Sequence, residues 1–368
     1  MYNFSAGPAC LPEEVLIRAR DEMLDWHGSG MSVMEMPFTS DEYRQIESHA
    51  SRTLRNLVDL PDNYHILFLQ GGAYAHFAIL AMNLGGNHGA ADYVQTGHWS
   101  TRAINEAGKI IRVNIAAGSE DSGFDHIPAY SEWNLDPEAA YCHITTNETA
   151  SGLQYHWLPD TGAVPLVADA TSDFLSRGID IRQFGLLYAS AQKNIGPTGL
   201  TVLIIRDDLL DRGMDILPAV FNYGLQARNN SRINTPPTWS IYMAGLVFSW
   251  LKERGGLDAM EKINREKAGR LYDYIDSDHY YRCHIAPADR SLVNVCFSLA
   301  DESMTDVFIR EAETQGLRNL GGHAQQGAIR ASLYNAMPVE GVDVLIEFMS
   351  DFSSRHAVHR RSTGRKPA

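Results

Sequence analysis

Short apolar runs of strand length alternate with longer amphipathic segments between roughly residues 13 and 265. This repetition of strand and helix is typical of a mostly parallel sheet covered by helices. We therefore predict an α/β fold whose ligand-binding residues gather beyond the carboxyl ends of the strands. The predicted strands span residues 64–69, 91–94, 110–113, 140–144, 165–168, 186–189 and 200–205.

The pattern changes after Gly255 and Gly256, where a helical segment over 241–254 ends. A second helix over 257–276 leads into a mixed region, with predicted strands at 292–299 and 327–334 and helices at 301–315 and 339–355. A chain of 368 residues also exceeds the usual size of one domain. We predict a large domain over 13–264, a small α/β domain formed by 1–12 and 265–355, and a flexible basic tail over 356–368.

Composition excludes several classes of function. A formal charge of −14 argues against nucleic-acid binding, because phosphate backbones are held by clustered Lys and Arg. Four widely spaced cysteines without a CxxC pair indicate reduced thiols, and the spacing of His126, His143 and His156 predicts no metal site. The N-terminus does not resemble a signal peptide, and no run approaches the ~20 apolar residues of a membrane span. We expect a soluble, cytoplasmic protein.

One lysine lies where a catalytic amine is expected. Lys193, in the stretch "SAQKNIGPTGL", follows a predicted strand and precedes a glycine. At a strand's carboxyl end its pKa can fall, and its amine can then act as a nucleophile or hold a carbonyl cofactor. Taken alone, a lysine in a loop is more often a surface charge.

Asp169 ends the run "PLVAD", 24 residues before Lys193. That separation is about one crossover between parallel strands, which would bring the two residues to neighbouring strand ends. A carboxylate there suits pyridoxal phosphate, because it keeps the pyridine nitrogen protonated. The alternative is that Asp169 caps a helix beginning near Ser172.

The stretch "LQGGAYAHFAIL" predicts a strand, a glycine turn and the start of a helix. Backbone N–H groups at such a helix start can hold a phosphate. The stretch lacks the spacings of the nucleotide-binding motifs GxxxxGK[ST] and GxGxxG, so a nucleotide site is disfavoured.

Eight ordered blocks together resemble the phosphoserine aminotransferase family, whose members are fold-type I enzymes that use pyridoxal phosphate. The similarity runs from Tyr2 to about Arg355 and is carried by "NFSAGPA", "SVMEM", "ADYV.TG.W", "NET..G", "VADATS", "AQKNIGPTGLTV", "NTPPT" and "IRASLYNAMP". The resemblance implies a large domain with a mostly parallel seven-stranded sheet, a small C-terminal α/β domain and a homodimer with shared active sites.

The resemblance also implies the role of each site residue. Lys193 would bind the cofactor covalently and then move the proton of the substrate α-carbon, Asp169 would pair with the pyridinium, and Trp99 would stack on the ring. Arg330 would bind the substrate α-carboxylate, and Asn234 and Thr235 would come from the partner subunit. The implied cofactor contacts are Ala73, Tyr74, Trp99, Thr149, Asp169, Ser172, Gln192, Lys193, Asn234 and Thr235, and the implied substrate contacts are Ala6, Phe38, Thr39, His323, Ala324 and Arg330. Taken singly, Trp99 is equally well a core aromatic, Thr149 a turn residue and Arg330 a surface charge.

The sequence departs from the family at positions that, by the resemblance, would bind the substrate side chain. Family members usually have Ser-His-Arg after "SVMEM", where this chain has Pro37, Phe38 and Thr39, and the family's "KGHR" reads "GGHA" and ends in Ala324. Losing two arginines could cost on the order of 10²–10⁴ in affinity for a phosphorylated side chain.

Because these replacements are apolar or neutral, with Tyr74 and His76 nearby, we hypothesise an aminotransferase for an uncharged, non-phosphorylated substrate. One alternative is that His323 and a relocated arginine, such as Arg102 or Arg44, still bind phosphate. A lyase or decarboxylase using the same lysine and aspartate is a further alternative.

Overall fold

The computed structural model describes residues 1–86, 89–323 and 329–363, with the side chains of the last helix up to residue 356. Its nine helices, counted over this part of the chain, are α1 (Glu13–Asp21), α2 (Asp41–Leu57), α3 (Gly72–Leu84), α4 (His98–Ala107), α5 (Tyr223–Arg228), α6 (Thr238–Glu253), α7 (Gly256–Ser277), α8 (Thr305–Thr314) and α9 (Val339–Thr363). The strands are β1 (Tyr2–Asn3), β2 (Tyr64–Leu69), β3 (Ala90–Gln95), β4 (Arg112–Gly118), β5 (Cys142–Thr145), β6 (Asn147–Glu148), β7 (Leu153–Gln154), β8 (Leu166–Asp169), β9 (Leu186–Ser190), β10 (Thr201–Arg206), β11 (Tyr281–Arg282), β12 (Asn294–Leu299), β13 (Leu317–Arg318) and β14 (Ile329–Ser332).

A seven-stranded sheet in the order β2-β10-β9-β8-β5-β3-β4 forms the centre of the molecule. Strand β10 runs antiparallel to both of its neighbours, and the other pairings are parallel. The predicted mostly parallel sheet is confirmed. Because β8 and β9 are parallel neighbours, their carboxyl ends meet at one edge.

Both faces of the sheet are buried, and alternate residues of a strand point to opposite faces. In β2, Tyr64 and Phe68 join the apolar cluster formed with α1, α2 and α6. Leu67 and Leu69 join the second cluster, formed with α3 and α4. The fold therefore has three layers, with the sheet packed between two layers of helices.

Three local expectations are corrected. The strand predicted at 110–113 is β4, which begins at Arg112 because the backbone amides of Ile110 and Ile111 bond back to Ala107 at the end of α4. No α-helix joins β8 to β9, since residues 170–185 form turns and one short 3-10 segment (Ile181–Gln183). The closing helix continues through Thr363 instead of ending at Arg355, so the start of the predicted tail is helical; residues 364–368 lie outside the described part of the chain.

A third apolar cluster contains Phe4 and buried residues between Ala268 and Phe352. Its strands form a separate three-stranded sheet in the order β11-β12-β14, and β1 pairs in parallel with β13. We retain the division into a large domain (13–264) and a small domain (1–12 with 265–355) as a proposal, which this separate cluster supports. Among the described residues, none of the helices is long and apolar enough to cross a membrane.

Candidate active site

Lys193 lies three residues beyond the end of β9, at the sheet edge where β8 also ends. Its Nζ donates a hydrogen bond to the Thr149 hydroxyl at 2.5 Å and lies 5.0 Å from the centroid of the Trp99 ring. Burial lowers the pKa of Lys193 to about 8, although the negative charge of Asp169 acts in the opposite direction. A sizeable fraction of this amine is therefore neutral, and nucleophilic, near neutral pH.

Asp169 is the last residue of β8, and its neighbour in the sheet register is Tyr188 of β9. The side chain is buried, and Oδ1 accepts a hydrogen bond from the Thr171 backbone amide at 2.9 Å. Burial raises the pKa of Asp169, while Thr171 and the charge of Lys193 lower it. The alternative that Asp169 caps a helix is wrong, because residues 170–180, all of them described, contain turns and bends but no helix.

Glu148 fixes the position of Trp99. The carboxylate is completely buried and accepts hydrogen bonds from the backbone amides of Trp99 (2.9 Å) and Ser100 (2.8 Å), in the first turn of α4. Gly97 leaves it room, because a Cβ there would lie 2.6 Å from the Glu148 Cδ. Sequence reasoning did not single out Glu148, and its only signal was its place between Asn147 and Thr149 in one motif.

Helix α3 begins against the end of β9. Gly71, immediately before it, has a φ of 107°, and an added Cβ would lie 2.7 Å from the Ala75 Cβ. A Cβ on Gly72 would lie 3.4 Å from the Ser190 hydroxyl, which donates a hydrogen bond to the Gln192 side chain. The first amides of a helix have no partner within the helix, so Ala73 and Tyr74 present donors at this edge.

Arg330 lies on β14, a strand of the three-stranded sheet in the third apolar cluster, and contacts Thr149 from there. Its Nη1 donates to the Thr149 carbonyl at 3.3 Å, and its positive charge contributes to the lowered pKa of Lys193. The Arg330 Nε and the Trp99 Nε1 are buried donors without a hydrogen-bond partner among the described residues. Buried donors usually have a partner, so a bound molecule that reached these two would satisfy them.

The remaining expected neighbours of Lys193 are the N-terminal segment and His323. Gly7 packs on the lysine, since a Cβ there would lie 3.4 Å from the Lys193 Cγ, and the Ala6 carbonyl accepts a hydrogen bond from the Tyr334 hydroxyl. The His323 ring lies 4.3 Å from that of His98, between centroids. Burial lowers the pKa of His323, and the charges of Arg330, Arg102 and Lys193 lower it further.

Other expected site residues have the following surroundings in the single described chain. Phe38 packs on the apolar cluster of α2 and α6, and Thr39 is exposed before α2. The Ser172 hydroxyl donates to the Asn147 carbonyl at 2.8 Å. Asn234 and Thr235 are exposed, and Ala324 lies outside the described residues.

His76 is a core residue. It is 1% exposed, and its ring nitrogens face the Tyr223 hydroxyl and the Gln70 carbonyl. Burial lowers its pKa to about 4. The expectation that His76 lies near the substrate side chain stays a prediction.

Known aminotransferases resemble this chain along almost its whole length. The family described as "Aminotransferase class-V" matches residues 1–345. Phosphoserine aminotransferase from Nitrosomonas europaea is 52% identical over 365 residues, covering 97% of this chain and 99% of the relative. The corresponding enzyme from Hahella chejuensis is 51% identical, with the same coverage. The chain belongs to the class-V aminotransferase family.

Solved structures place this class-V aminotransferase among the fold-type I enzymes, as the sequence predicted. Phosphoserine aminotransferase from Bacillus circulans subsp. alkalophilus superposes with a TM-score of 0.94 at 44% identity, covering 96% of this chain and 98% of that one. A phosphoserine aminotransferase from Trichomonas vaginalis, solved with pyridoxal phosphate bound, has a TM-score of 0.92 at 39% identity, covering 95% and 99%. The enzyme is a pyridoxal phosphate-dependent aminotransferase.

The chemistry of the site residues also fits pyridoxal phosphate, independently of the comparisons. The open glycine turn at α3 suits a phosphate, the buried Asp169 suits a pyridinium, and the desolvated Lys193 suits an aldehyde. Bound pyridoxal phosphate supplies an electron-withdrawing ring that stabilises negative charge at the substrate α-carbon. Thr149 orients the Lys193 amine, which is then free to take and return a proton.

Proposed function

We propose that this aminotransferase exchanges the amino group between O-phospho-L-serine and L-glutamate, through their 2-oxo acids, by a ping-pong mechanism. In the biosynthetic direction the substrates are L-glutamate and 3-phosphohydroxypyruvate. The proposal is supported by relatives named phosphoserine aminotransferase that are about 50% identical over 97% of the chain.

The contact of Arg330 with Thr149 is the main structural support for the proposal. Thr149 accepts a hydrogen bond from Lys193 through its hydroxyl and from Arg330 through its carbonyl. An amino acid whose carboxylate is bound by Arg330 therefore has its α-carbon next to the Lys193 amine. A guanidinium is suited to this task, because its planar fork matches a carboxylate. In this proposal Lys193 moves the α-proton, Asp169 pairs with the pyridinium, and the α3 amides of Ala73 and Tyr74 bind the phosphate.

The charge around His323 favours a substrate with an acidic side chain. The charges of Arg330, Arg102 and Lys193 all lower the pKa of this imidazole, and Arg102, which neither the cofactor nor the α-carboxylate uses, leaves the region next to it positively charged. Both O-phospho-L-serine and L-glutamate carry a second anionic group that such a region would attract.

An amino acid with an uncharged side chain is the second candidate. It is favoured by Phe38, Thr39 and Ala324, which replace the family's His, Arg and Arg. We also propose a cytoplasmic homodimer in which Asn234 and Thr235 reach the partner's cofactor, with no nucleic-acid or membrane partner.

A panel of amino acids reacted with the holoenzyme tests these candidates. The absorbance of the bound cofactor would be followed with O-phospho-L-serine, L-glutamate, L-alanine and L-phenylalanine, each without a 2-oxo acid. We expect the two acidic substrates to react at concentrations on the order of 10²-fold lower than the neutral ones, as charge-assisted hydrogen bonds predict. The reverse order would favour the second candidate, and release of CO₂ with catalytic turnover would indicate a decarboxylase.

A further inference from the structure

Arg102 and Tyr74 form a contact between helices α4 and α3. The Arg102 Nη1 donates to the Tyr74 hydroxyl at 3.4 Å, and the guanidinium carbon lies 5.7 Å from the centroid of the Tyr74 ring. The Tyr74 hydroxyl donates in turn to Glu106 Oε1 at 3.1 Å. Tyr74 thereby holds the guanidinium in place through its ring face and its oxygen.

The charge of Arg102 is not neutralised by a direct ion pair among the described residues. The acidic group whose pKa Arg102 helps to lower, Glu106, is itself bonded to Lys109 at 2.7 Å. An arginine held by an aromatic ring in this way keeps N–H donors for an incoming anion.

Helix α4 carries Arg102 on the same face as His98, because the two are four residues apart. His98 contacts His323, and the next residue, Trp99, faces the Lys193 amine. The charges of Arg102 and Lys193 both lower the pKa of His323, so both cations act on this ring electrostatically.

We propose that Arg102, held by Tyr74 and flanked by His98 and His323, binds the anionic group of the substrate side chain. This inference rests on the proposed transamination of acidic amino acids and names the residues that replace the family's lost cations. The phosphate of O-phospho-L-serine and the γ-carboxylate of L-glutamate would share this subsite, because both accept hydrogen bonds from a guanidinium.

The test compares R102Q with R112Q in the holoenzyme, whose cofactor already fills the phosphate site at α3. Arg112 is an exposed residue at the start of β4, so R112Q removes the same charge without touching the proposed subsite. Half-saturating concentrations would be measured for O-phospho-L-serine, L-glutamate and L-alanine. The inhibition constant of inorganic phosphate would be measured against whichever of the three reacts fastest.

We expect R102Q to raise the values for O-phospho-L-serine, L-glutamate and inorganic phosphate about 10- to 100-fold. The value for L-alanine should change much less, R112Q should match the parent enzyme, and R102K, which keeps the charge, should recover part of the loss. If R102Q changes phosphate inhibition and the phosphoserine value by less than about twofold, the subsite is disproved.

The substrate preference of the parent enzyme tests the proposed function separately from the subsite. If the parent enzyme prefers L-alanine, the proposed substrate class is wrong. The subsite would still stand if inorganic phosphate inhibits the parent enzyme and R102Q weakens that inhibition. If inorganic phosphate inhibits the parent and R102Q equally, the subsite fails whatever the substrate.

Discussion

Among the described residues, two lysines have lowered pKa values, and their surroundings explain why only one suits catalysis. Lys267 is completely buried, and its Nζ donates to the carbonyls of Leu333, Tyr334 and Met337 at 2.7–3.0 Å. Burial lowers its pKa to about 7. With all three donors occupied by backbone, Lys267 ties α7 to the segment after β14. Lys193 instead donates to one hydroxyl beside an aromatic face, which leaves its amine accessible.

The pKa of Lys193 predicts how cofactor capture depends on pH. A pKa of about 8 leaves about a quarter of the amine neutral at pH 7.5, against about a thousandth for an ordinary lysine. Only the neutral amine attacks an aldehyde, so the capture rate of the apoenzyme should rise about tenfold per pH unit below 8 and level off above it. Stopped-flow absorbance between pH 6 and 9 would measure this profile. A profile still rising steeply at pH 9 would contradict it, and K262A, at an exposed lysine, should leave it unchanged.

Asp169 should set the midpoint of that profile. Its negative charge raises the pKa of Lys193 against the effect of burial. Removing the charge in D169N therefore favours the neutral amine, and the midpoint should move to lower pH. The exposed Asp62 offers a control in D62N, which should keep the parent midpoint. An unchanged or higher midpoint in D169N would show that the two groups are not coupled.

At the scale of elements, sequence patterns located the strands because residues buried on both faces form continuous apolar runs. They failed where local hydrogen bonds decide the boundary, as at Ile110 and Ile111, whose amides complete the end of α4. The hairpin of β6 and β7 was not predicted, because two-residue strands carry no periodicity. Glu148 belongs to that hairpin, so the lack of periodicity explains why neither the hairpin nor Glu148 was predicted.

Glu148 should be important for the stability of the start of α4. E148A would leave two buried backbone amides, those of Trp99 and Ser100, without acceptors. Unsatisfied buried donors cost about 1–3 kcal/mol each, so we expect the free energy of unfolding to fall by about 2–6 kcal/mol. Urea unfolding followed by circular dichroism would measure the loss. E132A, at an exposed position, should change it by less than about 0.5 kcal/mol, and an E148A value equally small would refute the capping role.

The glycine turn before α3 should be required for cofactor binding. G71A would force a side chain into a left-handed conformation, which costs about 1–2 kcal/mol, and against Ala75. Gly123 is a matched control, because its φ is also positive, at 74°, but a Cβ there meets nothing within 4 Å. We expect G71A to weaken pyridoxal phosphate binding to the apoenzyme at least about tenfold. Fluorescence titration would show this, and equal affinities in G71A and G123A would contradict it.

At the scale of the whole molecule, the site joins parts that are distant in sequence. The sheet edge contributes Asp169 and Lys193, β14 contributes Arg330, and the N-terminal segment packs on the lysine through Gly7. Spacing predicted the first pair, since neighbouring parallel strands end together. The approach of Arg330 follows from the packing of two separate apolar clusters, which no local pattern encodes; only the family resemblance indicated it.

Asn234 and Thr235 remain exposed in the single chain, where the Thr235 carbonyl accepts a hydrogen bond from the Gln70 side chain at 3.0 Å. Gln70 directly precedes the glycine turn of α3, so this segment lies beside the proposed phosphate site of its own chain. The proposed homodimer, in which these residues serve the partner, therefore needs a test that distinguishes the two arrangements.

Mixed dimers provide that test. K193A and the double variant N234A/T235A should each be nearly inactive. After the two are unfolded together and refolded in equal amounts, half of the dimers should contain one chain of each kind. If the residues serve the partner, each mixed dimer has one complete site, because the chain that keeps Lys193 receives Asn234 and Thr235 from the other. Transaminase activity should then recover to about a quarter of the parent value. If both residues serve their own chain, every site lacks one component and the mixture should stay as inactive as the separate variants.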